Sequence, residues 1–277
     1  MDVNLEEKIA RLTAILDSMG SALVAYSGGA DSAFLAEMAH RTLAGGALAV
    51  TADSPSIPRR ELQFALHFAQ DRGFRHQVVK TAELDDERYA SNPADRCYFC
   101  KSALMDRLTP LAHSLGLTIL LGTNIDDLGD HRPGERAVTE RGARHPMVEA
   151  GLTKSEIRVA SLQLGLPTWD KPAAACLASR FAYGVRVTKA ALSRVEASED
   201  LLLGKGYSVV RVRDLGEDRA RVEVGADQVA RLANEADGIR SELIGCGFSN
   251  VIIDERGYRQ GSMNEGLVLG IGRKPPA

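Results

Sequence analysis

The chain has 277 residues, 44% of them hydrophobic and 26% charged, enough for one well-buried α/β domain and a smaller one beside it. A net charge of −3 excludes a global basic field of the kind that holds nucleic acid. No apolar run approaches the ~18 residues that would span a bilayer.

The first residues, MDVNLEEKIARLTAIL, lack the basic start and apolar core of a signal peptide, so a soluble cytoplasmic protein is expected. Leu5, Ile9, Leu12, Ile15, Leu16 and Met19 recur at helical spacing, and Gly20 stops that helix. ALVAY at 22–26 reads as a short buried strand, followed by a loop and a helix over about 31–42. GALAVTADS at 46–54 is a second strand, and Pro58 opens a helix to about 72. FRHQVVKT at 74–81 is a third strand, a helix follows the CYFC segment, and LTILLGTN at 117–124 is a fourth strand. Thr153 and Glu156 form a capping box for the next helix. Strands that alternate with helices predict a parallel sheet with helices on both faces.

The pattern changes near 187. A helix ends at GKG, and YSVVRVRDL and RARVEVG alternate as half-buried antiparallel strands around a GED turn. A helix over about 227–245 and a strand at 250–254 complete an α-β-β-α-β unit. The expected division is a domain at 1–186 and a smaller α+β domain at 187–277, the latter with 13 Lys and Arg against 14 Asp and Glu. The tail GRKPPA is expected to fray.

Chemistry concentrates in three places. The first is Ser27-Gly28-Gly29-Ala30-Asp31-Ser32, between a strand and a helix. Glycines admit an anion close to the backbone, free N–H groups at the helix start point at it, and Ser27 and Ser32 add donors. Asp31 would repel phosphate unless a Mg²⁺ lay between them. The second is the set of strand ends, with Thr51 to Ser54 (including Asp53) after one strand and Thr123, Asn124 and Asp127 after another. Such folds hold adenine or ribose at the first of these ends, and in an open parallel sheet Thr123, Asn124 and Asp127 should face the same crevice as Asp31.

The third is the cysteines. Cys97 and Cys100 form a C-x-x-C, which fits a zinc knuckle, a redox pair or an iron–sulfur cluster. Cys176 lies among small residues in KPAAACLASRFAYG, and Cys246 reads as a packing residue. The six histidines show no metal spacing.

The Ser-Gly-Gly-x-Asp-Ser string lacks the Walker ending and resembles the PP-loop of the N-type ATP pyrophosphatases. Those enzymes adenylate a carboxylate or carbonyl oxygen and release pyrophosphate. Together with RCYFCK, GTNIDDLGDHRPG and KPAAACLASRFAYG, the loop resembles the LarE family of ATP-dependent sulfur transferases, over nearly the whole chain. The resemblance implies ATP and Mg²⁺ as cofactors and pyridinium-3,5-biscarboxylic acid mononucleotide as substrate, its carboxylates becoming thiocarboxylates on the way to the nickel-pincer nucleotide.

One branch of that family has no C-x-x-C and sacrifices the sulfur of the cysteine matching Cys176. The other holds a 4Fe-4S cluster on three cysteines, which Cys97, Cys100 and Cys176 resemble; sulfide would then be the sulfur source. Catalytic roles are expected for Asp31, Cys176 and Lys101. Substrate binding is expected for Ser179, Arg180, Glu199, Arg211 and Arg213, with Glu223 of the same kind. The resemblance also implies homo-oligomers, hexamers among them, with neither nucleic acid nor membrane as partner. The rivals are a tRNA thiolase, which would need a basic RNA-binding surface, a nucleotide- or cluster-binding sensor without turnover, and a structural zinc on Cys97 and Cys100.

Overall fold

In the computed structural model, the structure describes residues 3–128, 133–172 and 175–259. The chain forms two compact units. The first comprises Met1–Tyr89 with Asp95–Ala175, and the second Ala90–Ala94 with Cys176–Ala277. Segment 176–186, placed with the first domain from sequence, therefore groups with the second unit.

The first unit runs α1 (Val3–Asp17), β1 (Ala22–Ala25), α2 (Ala30–Thr42), β2 (Ala47–Asp53), α3 (Arg59–Asp71), β3 (His76–Lys80), α4 (Glu87–Ala90), α5 (Arg96–Leu115), β4 (Thr118–Leu120), α6 (Pro133–Thr139), α7 (Pro146–Glu149) and α8 (Lys154–Gln163). Its four strands are all parallel, in the order β3-β2-β1-β4. This is the α/β parallel-sheet architecture of a PP-loop domain.

β1 is buried on both faces, which is why its sequence is continuously apolar rather than alternating. Ala22 and Val24 join a core with Leu12, Leu16, Phe34, Leu35, Phe68 and Ile157. Leu23 points the other way, into a core with Leu48, Val50, Met105, Leu108 and Ile119. Successive connections run from β1 out to β2 and β3, and the chain then returns to place β4 on the other side of β1. The strand order thus reverses between β1 and β4, the place where such sheets bind ligands beyond their carboxyl ends.

Two elements differ from the sequence expectation. The C-x-x-C does not precede a helix; both cysteines lie within the start of α5 itself. The long helix expected over 227–245 is two helices, α10 (Val229–Asn234) and α11 (Ala236–Gly245), broken at Glu235. That carboxylate is held by Arg231 at 2.8 Å and by the Tyr207 hydroxyl at 3.0 Å.

In the second unit, α9 (Lys189–Gly204) packs on β5 (Val210–Asp214). β5 pairs antiparallel with β6 (Arg219–Val224), which pairs parallel with β7 (Asn250–Ile253). The GED turn joins β5 to β6 with Glu217 and Asp218 both at positive φ. Leu192, Val195, Leu202, Val212, Val222, Leu232 and Leu243 form its buried apolar centre. The tail after residue 259 and residues 129–132 lie outside the described residues. No helix among the described residues is long and apolar enough to cross a membrane.

Candidate active site

The phosphate loop closes on itself. The Ser32 hydroxyl accepts from the Ser27 N–H at 3.2 Å, lies 3.0 Å from the Ser27 hydroxyl and donates to the Gly29 carbonyl at 3.2 Å. Gly28 sits at φ +73°, and a Cβ there would stand 2.8 Å from the Cβ of Ala65 on α3. A side chain at Gly122, after β4, would likewise press on the backbone of Asp31 and Ser32 at 3.0–3.2 Å. The two glycines let α3 and the β4 end close on the loop from two sides.

Asp31 stands in the first turn of α2 with Oδ1 buried and unpartnered among the described residues. Burial pushes its carboxyl above the ordinary aspartate value; the charge of Asp127 adds to the rise, while Lys154, Arg158 and the Asn124 amide oppose it. The Asn124 amide is near enough to favour the charged carboxylate, yet Asn124 Nδ2 completes no hydrogen bond among the described residues. Asn124 is fully buried and caps its own turn: its side chain accepts from the Asp126 N–H at 3.0 Å, and its own N–H donates to Asp127 Oδ2 at 3.1 Å. Thr123 donates to Glu135 Oε2 at 3.2 Å. The structure thus brings Asp31, Asn124 and Asp127 together. An orphaned carboxylate oxygen beside a second carboxylate suits a hard, oxygen-seeking cation such as Mg²⁺.

Asp53 ends β2 paired with Arg59 at 2.6 Å. Beyond it, Ser54 donates to the buried Glu83 carboxylate and accepts from the Ser56 N–H at 3.0 Å. Cys97 is exposed and Cys100 half-buried, three residues apart on α5, which places them on one side of the helix. Lys101 is half-buried under Gly134 of α6, where a Cβ would come within 2.9 Å of its Cγ. Among the described residues no group of three or more His, Cys, Asp or Glu side chains is gathered to hold a metal.

In the second unit, the Cys176 carbonyl accepts from the Ser179 N–H at 3.0 Å, the Ser179 hydroxyl at 2.7 Å and Arg180 Nη1 at 3.1 Å. Arg180 is buried and makes a two-pronged pair with the fully buried Glu199, at 2.9 and 3.0 Å. Glu199 also accepts from the Val212 N–H at 3.1 Å. Arg213 is held by Glu223 at 2.8 and 3.0 Å and by the Ser179 carbonyl at 3.2 Å, while Arg221 takes the other Glu223 oxygen. Arg211 differs from these arginines. Among the described residues it makes no ion pair; it donates to its neighbour's carbonyl at 2.7 Å and lies 4.9 Å over the Tyr258 ring. Burial, then the nearby charge of Arg180, lowers its pKa from the usual arginine value.

Comparison with known proteins adds the decisive observation. The chain is 33% identical over 265 residues to pyridinium-3,5-bisthiocarboxylic acid mononucleotide synthase of Lactiplantibacillus plantarum, covering 95% of this chain and 96% of that protein. The chain belongs to the LarE family. It is also 42% identical over 268 residues to an uncharacterised protein of Synechocystis sp., covering 95% and 99% of the two chains. An uncharacterised protein of Methanocaldococcus jannaschii is 27% identical over 238 residues, 86% of this chain. No family model matches.

This LarE-family site contains residues that sequence reasoning passed over. Lys154 and Arg158, on α8, place positive charge near Asp31. Lys171 donates to the Gly28 carbonyl at 3.0 Å. Only the capping box at Thr153, which fixes where α8 begins, hinted at the first two; nothing in the sequence signalled the third.

Proposed function

We propose that this chain is the ATP-dependent sulfur transferase that converts the carboxylates of pyridinium-3,5-biscarboxylic acid mononucleotide into thiocarboxylates. The observation that carries this reading is the closed Ser27–Ser32 loop with the orphaned Asp31 oxygen beside Asn124 and Asp127; membership of the LarE family supports the substrate. A substrate carboxylate oxygen attacks the α-phosphorus of ATP, the bond to pyrophosphate breaks, and an acyl-adenylate remains. Hydrosulfide then attacks the acyl carbon, the carbon–oxygen bond to AMP breaks, and a thiocarboxylate leaves with the substrate. The sequence repeats on the second carboxylate.

The loop amides and the Ser27 and Ser32 hydroxyls bind the β- and γ-phosphates and stabilise charge that develops on the leaving pyrophosphate. Asp31 and Asp127 would hold Mg²⁺, which when bound neutralises those phosphates. Asp53 and Thr123 face the nucleotide at their strand ends. Arg211 binds the substrate phosphate, because it is a half-buried cation without a paired carboxylate among the described residues. Ser179, Arg180, Glu199 and Arg213 form its rigid surround. Cys97, Cys100 and Cys176 would hold a 4Fe-4S cluster, which when bound supplies hydrosulfide at its open iron. Lys101, beside Cys100, balances anionic sulfur. The working protein is a homo-oligomer.

Anaerobically purified protein, given MgATP, the biscarboxylate nucleotide and sulfide, is expected to release AMP and pyrophosphate equally. It should make more than one thiocarboxylate per chain with its own intact mass unchanged. Loss of the mass of H₂S from the protein, with one sulfur transferred per chain, would instead make Cys176 the sacrificial donor. ATP binding without pyrophosphate release would refute the enzyme.

A further inference from the structure

The peptide between Gly28 and Gly29 is the softest part of the phosphate loop. Neither flanking residue carries a Cβ, so this peptide can turn over at little steric cost. It is also a trans peptide, like every peptide described, so its carbonyl and its N–H point in opposite directions. Whatever holds the Gly28 carbonyl therefore aims the Gly29 N–H. Within the loop that N–H has only the Ser27 hydroxyl, at 3.5 Å, the outer limit of a hydrogen bond.

Lys171 supplies the hold. Its ammonium donates to the Gly28 carbonyl at 3.0 Å, pairs with Glu61 Oε2 at 2.8 Å, and stands 3.6 Å from the centroid of the Phe64 ring. Three donors on one small cation permit such a junction, and the ring face adds attraction. The Lys171 side chain is 15% exposed, so it is fixed and largely dry. Glu61 and Phe64 belong to α3, the helix whose Ala65 fills the space beneath Gly28. That helix is also tied to the strand that leads into the loop, through the Tyr26 hydroxyl on the Ala65 carbonyl at 3.2 Å. Its positive charge is already matched by Glu61, so its value to an anion lies in geometry, through the peptide it holds.

We propose that Lys171 is a positioning residue of the phosphate loop: by holding the Gly28 carbonyl against α3 it keeps the Gly29 N–H turned toward the polyphosphate. This rests on the reading of Ser27–Ser32 as a nucleotide phosphate loop. The test is calorimetric titration of the full chain with magnesium pyrophosphate, MgATP and adenosine, for wild type, Lys171→Met, Lys171→Arg and Glu61→Gln. Lys171→Met keeps the apolar stem on Phe64 and removes the donor. It is expected to weaken pyrophosphate and ATP by about tenfold, the effect of one hydrogen bond from a charged donor, and to leave adenosine unchanged. Lys171→Arg is expected to recover most of that loss, and Glu61→Gln to weaken pyrophosphate modestly by loosening the lysine.

Wild-type affinity in Lys171→Met overturns the proposal, as does an equal loss for adenosine, which would mark general damage. Tighter pyrophosphate binding in Glu61→Gln also overturns it, because a freed lysine would then be acting as a charge on phosphate. If Lys171→Met does not fold, the arginine and Glu61 variants decide on the same criteria. Wild-type protein that binds neither ATP nor pyrophosphate removes the phosphate-loop reading itself, and the proposal falls with it.

Discussion

The two charged regions of this molecule are built on opposite principles. Around the phosphate loop, polar groups are brought together and left unfinished: Asp31 Oδ1 and Asn124 Nδ2 are both without a hydrogen-bond partner among the described residues. In the arginine-rich sheet of the second unit, nearly every charge is matched. Arg180 lies against Glu199, and Arg213 and Arg221 share Glu223. Buried polar groups in folded proteins are normally satisfied, and it is at this unfinished cluster beyond a strand end that the proposed function puts an external group. The matched cluster has the opposite logic. It fixes a rigid frame, beside which Arg211 makes no ion pair among the described residues and is the group we propose for the substrate phosphate.

Breaking the matched cluster should have the largest effect on stability. Glu199→Ala strips the partner from a buried guanidinium and is expected to destabilise the protein by about 3–5 kcal/mol, read as a lower urea midpoint with an unchanged slope. A loss under ~1 kcal/mol, the range of an exposed pair, would mean that water reaches Arg180 and that the frame is not dry.

The unfinished cluster should respond the other way. Asp31→Asn is expected to lower pyrophosphate release by about 10²–10³-fold, the scale for one preorganised charge-stabilising group, without lowering stability. The sign follows from the raised carboxyl. A carboxyl whose folded pKa lies above its unfolded value favours folding while protonated, below the ordinary aspartate range near ~3.9. That contribution is lost as pH rises through the folded pKa. The amide should therefore melt higher than wild type at neutral pH, with the difference vanishing below about pH 4. A lower melting temperature at pH 7 would show that Asp31 is a structural ion-pair member.

What was legible in the sequence follows the range of the forces involved. The phosphate loop is six contiguous residues at one strand–helix junction, and the capping box at Thr153 spans four, so both could be read locally. The parallel sheet was legible because short apolar strands alternate with helices along the first unit. The start of α5 was not. Asp95 makes no side-chain cap there, and no apolar period marks the first turn, so the cysteines looked like loop. The break at Glu235 was not legible either: one partner of that carboxylate, Tyr207, lies 28 positions away. Lys171 reaches Gly28 across 143 positions, a contact made by tertiary packing alone. The matched state of Arg180 and Arg213 was equally hidden, since alternation says which residues share a face of a strand and nothing about which carboxylates meet them.

Arg211 tests the exception within the matched region. Arg211→Met removes a half-buried cation that has no ion-pair partner among the described residues. The melting temperature should hold or rise, while KM for the pyridinium nucleotide should increase about tenfold with kcat little changed, the pattern of lost uniform binding. A fall in kcat with KM unchanged would place Arg211 at the reacting carboxylate rather than at the phosphate. A drop in stability would return it to the frame with Arg180.

The smallest effect should come from the turn that supports the unfinished region. Thr153 accepts from the Glu156 N–H, Glu156 accepts from the Thr153 N–H at 2.8 Å, and the Lys154 N–H donates to Asp126 at 2.6 Å. This box sets where α8 begins and hence where Lys154 and Arg158 carry their charge toward Asp31. Thr153→Ala is expected to cost about 1 kcal/mol of stability, the usual value of a lost N-cap, with pyrophosphate release reduced by no more than a few fold. Glu156 would remain paired with Lys8 at 2.7 Å, so the helix keeps a second anchor and the charges near Asp31 stay in place. A loss of activity comparable to Asp31→Asn would mean that those charges are positioned by the cap itself and that the unfinished cluster depends on one local turn.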